Sequence, residues 1–251
     1  MFNSAFLKVD RAYAHINNIE SAFNLFRETH SAEFIIGKDP NTGTQFIDLD
    51  VGDAMPIDFP VIIGDAIHNL RTALDHAMWE LMGIDKGTQD RNTAFPFSRT
   101  KTEYEAACNG VKTPRDDTKK FLISLEAYED GVGECFYGLN RLDIRDKHIM
   151  LTPVINFAEV TKVKIILPNG QVSTTEYRSF SIGPQGRSRI FGDIPAGSLI
   201  ECDQKPEPTM EIFFGGVEYL ETRPLIDTLF DLYFLVKNAI SSFDDFVANR
   251  N

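Results

Sequence analysis

Apolar residues recur at close to helical spacing over residues 4–29, where Phe6, Val9, Ile16, Ile19, Phe23 and Phe26 alternate with charged side chains, predicting a first helix. Two extended runs follow, 32–38 and 45–50, separated by Asp-Pro-Asn-Thr-Gly, whose residues tolerate tight turns; a hairpin fits. Pro56 and Pro60 close the next loop. Residues 61–82 then read as a proline-free central helix with Gly83 as its stop. A polar surface loop is expected over 87–98, then short helices at about 101–108 and 116–128 and a longer one at about 133–150, ended by Pro153. Beyond that the period shortens to two: Val163, Ile165 and Leu167, a Pro168-Asn169-Gly170 turn, residues 172–180, and short runs near Arg189, Leu199 and Met210 to Phe214. A last helix should cover about 223–247, opened by Thr222, Arg223 and Pro224, with Leu225, Leu229, Leu232, Val236 and Ile240 on one side.

This order predicts a single α+β domain over 1–251: a mainly helical bundle at 1–155 and 222–251, with an N-terminal hairpin and a small antiparallel sheet at 160–216 inserted before the C-terminal helix. No internal repeat or low-complexity tract interrupts it.

The central helix carries an unusual polar load. Ile67, Leu70, Ala73, Leu74, Ala77 and Leu81 gather into an apolar stripe, while Asp65, His68, Asn69, Thr72 and His76 share the other side, flanked by Arg71 and Asp75. Lysine and glutamate are the usual occupants of such a face. Arg71 and Asp75 stand at i, i+4, where opposite charges meet. A plain structural role is open: these groups could satisfy one another at a helix interface. The chemical alternative is an active site, since imidazole exchanges protons near neutral pH and arginine holds anions. A second cluster, Asn140, Arg141, Asp143, Arg145, Asp146, Lys147 and His148, falls at the end of the helix expected over 133–150. Read structurally it is a solvated last turn, with Lys147 and His148 favourable at the negative end of the helix dipole.

Composition narrows the classes. A chain of 251 residues with 43% hydrophobic residues can bury a full core. A formal charge of −12 repels a phosphate backbone at long range and disfavours a general nucleic-acid coat protein, although a local basic site is compatible with it. No run of about 18 apolar residues exists and the first residues do not resemble a signal peptide, so a cytoplasmic protein without membrane association is expected. Cys108, Cys135 and Cys202 are scattered without CxxC spacing and are expected to be mostly buried thiols outside any disulfide or zinc framework.

The blocks GDAIHNLRTALDHAMWEL and LNRLDIRDKH resemble a widespread group of bacterial proteins of unassigned function, in which an HNLRSALDH-like helix precedes a DKH-like block. The resemblance covers about half the chain and supports the choice of residues alone. A second resemblance is to HEPN-type ribonucleases, helical bundles in which an arginine is followed four to six residues later by a histidine, usually across a homodimer. Arg71 and His76 match with four residues between them, and Arg141 and His148 with six; Thr72 and Leu142 stand where that family commonly has asparagine, aspartate or histidine. This resemblance implies a metal-independent endoribonuclease without cofactor, with RNA as substrate, a homodimer as its assembly, and a bacterial defence or stress setting. Arg71 and His76 are its catalytic pair, with His68, Asn69, Asp75, Asp143, Lys147 and His148 in support. Attack of a ribose 2′-hydroxyl on phosphate needs a base, an acid and a cation, which such residues supply. Within one straight helix Arg71 and His76 diverge by about 140°, so a composite site with a second subunit is expected.

Two other classes stay open. His68, Asp75, His76, Asp143, Asp146 and His148 offer ligands for a metal-dependent hydrolase or oxidase, although neither a repeated Glu-x-x-His nor HExxH is present. A non-catalytic interaction protein using the inserted strands is the other. No GxSxG, GxxxxGK[ST] or GxGxxG motif occurs, which sets aside serine hydrolase, nucleotide hydrolase and Rossmann dehydrogenase chemistry.

Overall fold

The computed structural model describes residues 1–157, 161–177, 180–202, 210–217 and 223–250. Among them the chain is α+β, with six helices and nine antiparallel strands: α1 (Asn3–Thr29), β1 (Glu33–Lys38), β2 (Gln45–Asp50), α2 (Phe59–Ile84), α3 (Lys101–Asn109), α4 (Asp116–Ser124), α5 (Glu134–Asp146), β3 (Pro153–Phe157), β4 (Thr161–Ile166), β5 (Val172–Tyr177), β6 (Phe180–Ile182), β7 (Arg187–Ile194), β8 (Leu199–Cys202), β9 (Met210–Phe214) and α6 (Leu225–Ala248). The described chain divides into two compact units. One comprises Met1–Ile19, Val61–Leu151 and Asp227–Asn251; the other comprises Glu20–Pro60 and Thr152–Ile226. No helix among the described residues is long and apolar enough to cross a membrane.

In the first unit each long helix buries one stripe. Along α1 and the residue just before it the stripe is Phe2, Ala5, Val9, Ala12 and Ile16, recurring at steps of three and four. Phe6, expected on this stripe, is only half-buried. Every residue of the expected α2 stripe is fully buried, as are Val236 and Ile240 of α6. The N-terminal and C-terminal helices meet through aromatic pairs: Phe2 lies edge-on to Phe243 at 5.6 Å and Tyr13 packs on Tyr233 at 4.9 Å. Gly83 does not end α2. The helix runs on to Ile84 and unwinds at Lys86, whose φ of 55° is left-handed, and Gly87 then donates its N–H to the Met82 carbonyl at 2.9 Å.

Two helices are shorter than their patterns suggest. α4 stops at Ser124 because Glu126 turns left-handed (φ 48°) and Tyr128 pairs with Ser98. α5 stops at Asp146, before Pro153, which begins β3, a strand the alternation did not reveal. Behind α2, Asp85 is fully buried yet accepts hydrogen bonds from Thr113 at 2.8 Å and Thr118 at 2.6 Å and pairs with Arg250, whose guanidinium lies over Phe246 at 4.1 Å. That network compensates a carboxylate that could not otherwise leave water.

The second unit contains three three-stranded sheets rather than one: β1-β2-β7, β6-β3-β9 and β5-β4-β8. The expected hairpin forms with Glu33 opposite Asp50, and its turn is held by Asp39, whose Oδ1 accepts the N–H groups of Asn41 at 2.7 Å and Thr42 at 3.1 Å, while Gly43 takes φ 75°. It does not stand alone, because β7 pairs along β2. Ile47, Val163, Ile165 and Ile194 form the shared core of these strands. The expected helix cap at Thr222 lies outside the described residues. Of the cysteines, which form no disulfide, only Cys108 is buried and Cys135 is exposed, correcting the expectation of mostly buried thiols. Burial pushes the Cys108 thiol up to about 11, which makes it unreactive.

Asp48 of β2, 5% exposed, binds Arg187 Nε at 2.9 Å and Arg189 Nε at 3.0 Å from β7. Burial by itself would raise its pKa, but hydrogen bonds from the two arginines outweigh it and hold the carboxyl below its ordinary value. A depressed carboxyl contributes stability that is full above its unfolded pKa, near 4, and is lost as pH falls through the folded value. Asp48→Asn should therefore lower stability by about 2 kcal/mol at neutral pH. In urea melts the gap between Asp48→Asn and the unmodified protein should close below about pH 4; a gap constant down to pH 3 would show that the ion pairs are not its source.

Candidate functional site

α2 and α5 run antiparallel in the first unit, and their polar residues pair in register. His68 Nδ1 donates to Asp143 Oδ1 at 2.8 Å. One turn on, Arg71 Nε donates to Asn140 Oδ1 at 2.9 Å. At the other end, the Asp146 carboxyl lies against Gly64: a Cβ there would come within 2.2 Å of Asp146 Oδ2. The apolar backing comes from buried Ile63, Ile67 and Leu70 on α2 and Leu139 and Leu142 on α5.

Asp143 is the pivot. It is 2% exposed, and besides His68 it accepts a hydrogen bond from Lys147 Nζ at 2.6 Å. Lys147 and His148 are exposed, as a solvated last turn implies, whereas Asp143 turns inward, since residues 139, 142 and 143 share the buried face. His68 and Lys147 remain about half exposed, at 50% and 54%. Asp143 therefore fixes the imidazole through Nδ1, and Nε2 has no hydrogen-bond partner among the described residues. Beside it, burial raises the Asp146 pKa; a hydrogen bond from Leu151 N–H opposes this, and the charges of Asp143 and Asp65 add to the rise. The seam thus combines an oriented imidazole, an ammonium group and a carboxyl that holds its proton more tightly than usual.

The remaining candidates separate into two neighbourhoods. Arg71 pairs with Asp75, as their spacing predicted, and its guanidinium carbon stands 4.5 Å from the centre of the Phe97 ring. Asp75 also accepts the backbone N–H of Phe95 at 2.9 Å, which ties residues 95–97 to α2. His76 faces α1 instead: its Nδ1 is 2.9 Å from Ser4 Oγ, which in turn bonds Glu80. Among the described residues Arg71 and His76 therefore share no partner. Asn69 accepts from Lys8 at 3.4 Å and donates to the Asp65 carbonyl at 2.7 Å. His148 is exposed just beyond α5, its backbone N–H bound to the Arg145 carbonyl at 3.0 Å. Among the described residues no three His, Cys, Asp or Glu side chains converge as metal ligands would.

The sequence pattern contained a signal that motif spacing overlooked. His68 and Arg71 are three apart, and so are Asn140 and Asp143; on antiparallel helices equal intervals allow both pairs to form together. Gly64, Phe95 and Phe97 carried no such signal, because their roles depend on what lies opposite. No protein-family model, curated protein or solved structure matches the chain.

Gly64→Ala tests the seam. A glycine-to-alanine change inside a helix stabilises by about 1 kcal/mol on propensity alone. Here the new methyl must displace the Asp146 carboxyl, so that gain should be offset, and Asp146, followed by carboxyl NMR titration, should move down towards an ordinary aspartate as its burial is relieved. Full stabilisation with an unmoved titration would mean that Gly64 does not hold Asp146 in place.

Proposed function

We propose that this chain is a metal-independent endoribonuclease in which His68, oriented by Asp143, carries the proton chemistry and Lys147 supplies the cation. The reaction is the one the HEPN resemblance implies, but the imidazole moves from His76 to His68. The observation that carries the reading is the buried Asp143 carboxylate holding a half-exposed histidine and lysine side by side. The architecture is taken as a helical bundle organised on α2, with the strands as a separate attachment.

In this reading His68 Nε2 takes the proton of a ribose 2′-hydroxyl as O2′ bonds to phosphorus. Lys147 offsets the charge that gathers on the phosphoryl oxygens. The P–O5′ bond breaks and O5′ takes a proton from water, leaving a 2′,3′-cyclic phosphate while His68 holds the proton it accepted. All the groups lie in one chain, so the step does not depend on the homodimer that an Arg71/His76 site would require.

A structural reading has one observation in its favour: His68 and Arg71 each spend a nitrogen bridging α2 to α5. The two readings part at His68→Gln. Removing a positioned acid or base slows a reaction by about 10² to 10⁴. On an unstructured RNA, His68→Gln should show that loss with Tm nearly unchanged, His76→Ala should cut at close to the unmodified rate, and chelator should have no effect. Undiminished cutting by His68→Gln refutes the assignment, and loss of cutting in His76→Ala returns the chemistry to the Arg71/His76 pair. Unfolding of His68→Gln, with no RNA cut by the intact protein, favours a purely structural seam.

A further inference from the structure

Arg71 and Asn140, the second bridge of the seam, also line one wall of a cavity of about 560 Å³. Met78, Met82 and Phe97 also line it. Near its rim Lys112 pairs with Asp90 at 2.9 Å. The size is that of a site for a small organic molecule. The lining combines soft thioethers and an aromatic ring with an amide and a guanidinium, which suits a flat, polar-edged heterocycle. Asn140 spends its carbonyl oxygen on Arg71, which leaves its amide hydrogens as donors. Phe97 is held by Arg71 over one face of its ring at 4.5 Å and by the tilted ring of Phe95 at 4.8 Å. It is therefore a pre-ordered wall.

Arg71 follows His68 by three residues, about 4.5 Å of helix rise. That places the cavity wall one turn from the imidazole, a separation that a nucleotide spans between its phosphate and its base. We infer that this cavity is a nucleobase pocket, holding the base beside the phosphodiester whose neighbouring 2′-hydroxyl His68 deprotonates. The inference rests on the ribonuclease reading for its biological meaning, yet base binding can be measured without cleavage. Base selection would come from the edge groups of Asn140 and Arg71, and the stacking surface from Phe97 and the methionines.

The test uses the full chain and five probes: the four nucleoside 3′-monophosphates, and ribose 5-phosphate, which has the phosphate without a base. At least one nucleotide should bind about tenfold or more tightly than ribose 5-phosphate, the scale expected for one stacked base. Thr88→Trp and, independently, Val111→Trp each place an indole at the cavity lining away from the seam. Both should remove the base-dependent margin and leave ribose 5-phosphate binding unchanged. No margin in the unmodified protein, or a margin surviving both substitutions, overturns the pocket. A chain that shows the margin but cuts no RNA keeps the pocket and refutes the nuclease. A chain that cuts RNA with no base margin does the reverse.

Discussion

A carboxylate that is almost wholly removed from water must find charged partners or lose several kcal/mol. Asp143 is that carboxylate, and its partners come from two directions: Lys147 from the next turn of its own helix and His68 from α2. The requirement fixes how the two helices run. With His68 opposite Asp143, antiparallel geometry brings Asn140 to Arg71 and Asp146 to Gly64, so one buried charge sets three contacts. A glycine at position 64 then follows, because any Cβ would occupy the space of the Asp146 carboxyl.

The same register organises what lies beyond the seam. Arg71 is held between Asn140, Asp75 and the face of Phe97, and Asp75 takes the backbone N–H of Phe95. Phe95 in turn packs against Phe136 of α5 and Phe243 of α6. A loop rich in polar residues is thereby anchored at its end by one hydrogen bond and an aromatic cluster, and the cavity is lined by that loop, α2, the end of α3 with residues 110–112, and Asn140 of α5. The second unit solves a similar problem with Asp48, a buried carboxylate answered by two arginines of the neighbouring strand. In both units a buried acid specifies a pairing that apolar contacts alone would leave open to sliding.

His68 owes its chemical potential to this division of exposure. Its Nδ1 is spent on a carboxylate that cannot leave, and the rest of the ring faces outward. His76, on the same helix, is turned towards Ser4 and Glu80 of a different interface. Nine residues of one helix, 68 to 76, therefore contain two histidines in unlike settings, and sequence distance to Arg71 is a poor guide to which of them works with it.

The elements themselves were legible in the chain, because periodicity is a local property: the stripe of Ile67 to Leu81, the alternation of Val163 and Ile165, and the turn at Gly43 each follow from residues close to one another. Helix ends at Ser124 and Asp146 were less so, since left-handed turns at Glu126 and the strand at Pro153 answer to distant partners. For the site, the residue types His68, Arg71, Asp75, Asp143 and Lys147 stood out by themselves, and the Arg71–Asp75 pairing followed from helical spacing. Which histidine meets which carboxylate did not. That choice is made where α5 packs on α2, at a sequence separation of 75 residues. There the cost of burying Asp143, a quantity with no local signature, selects the register and with it the site.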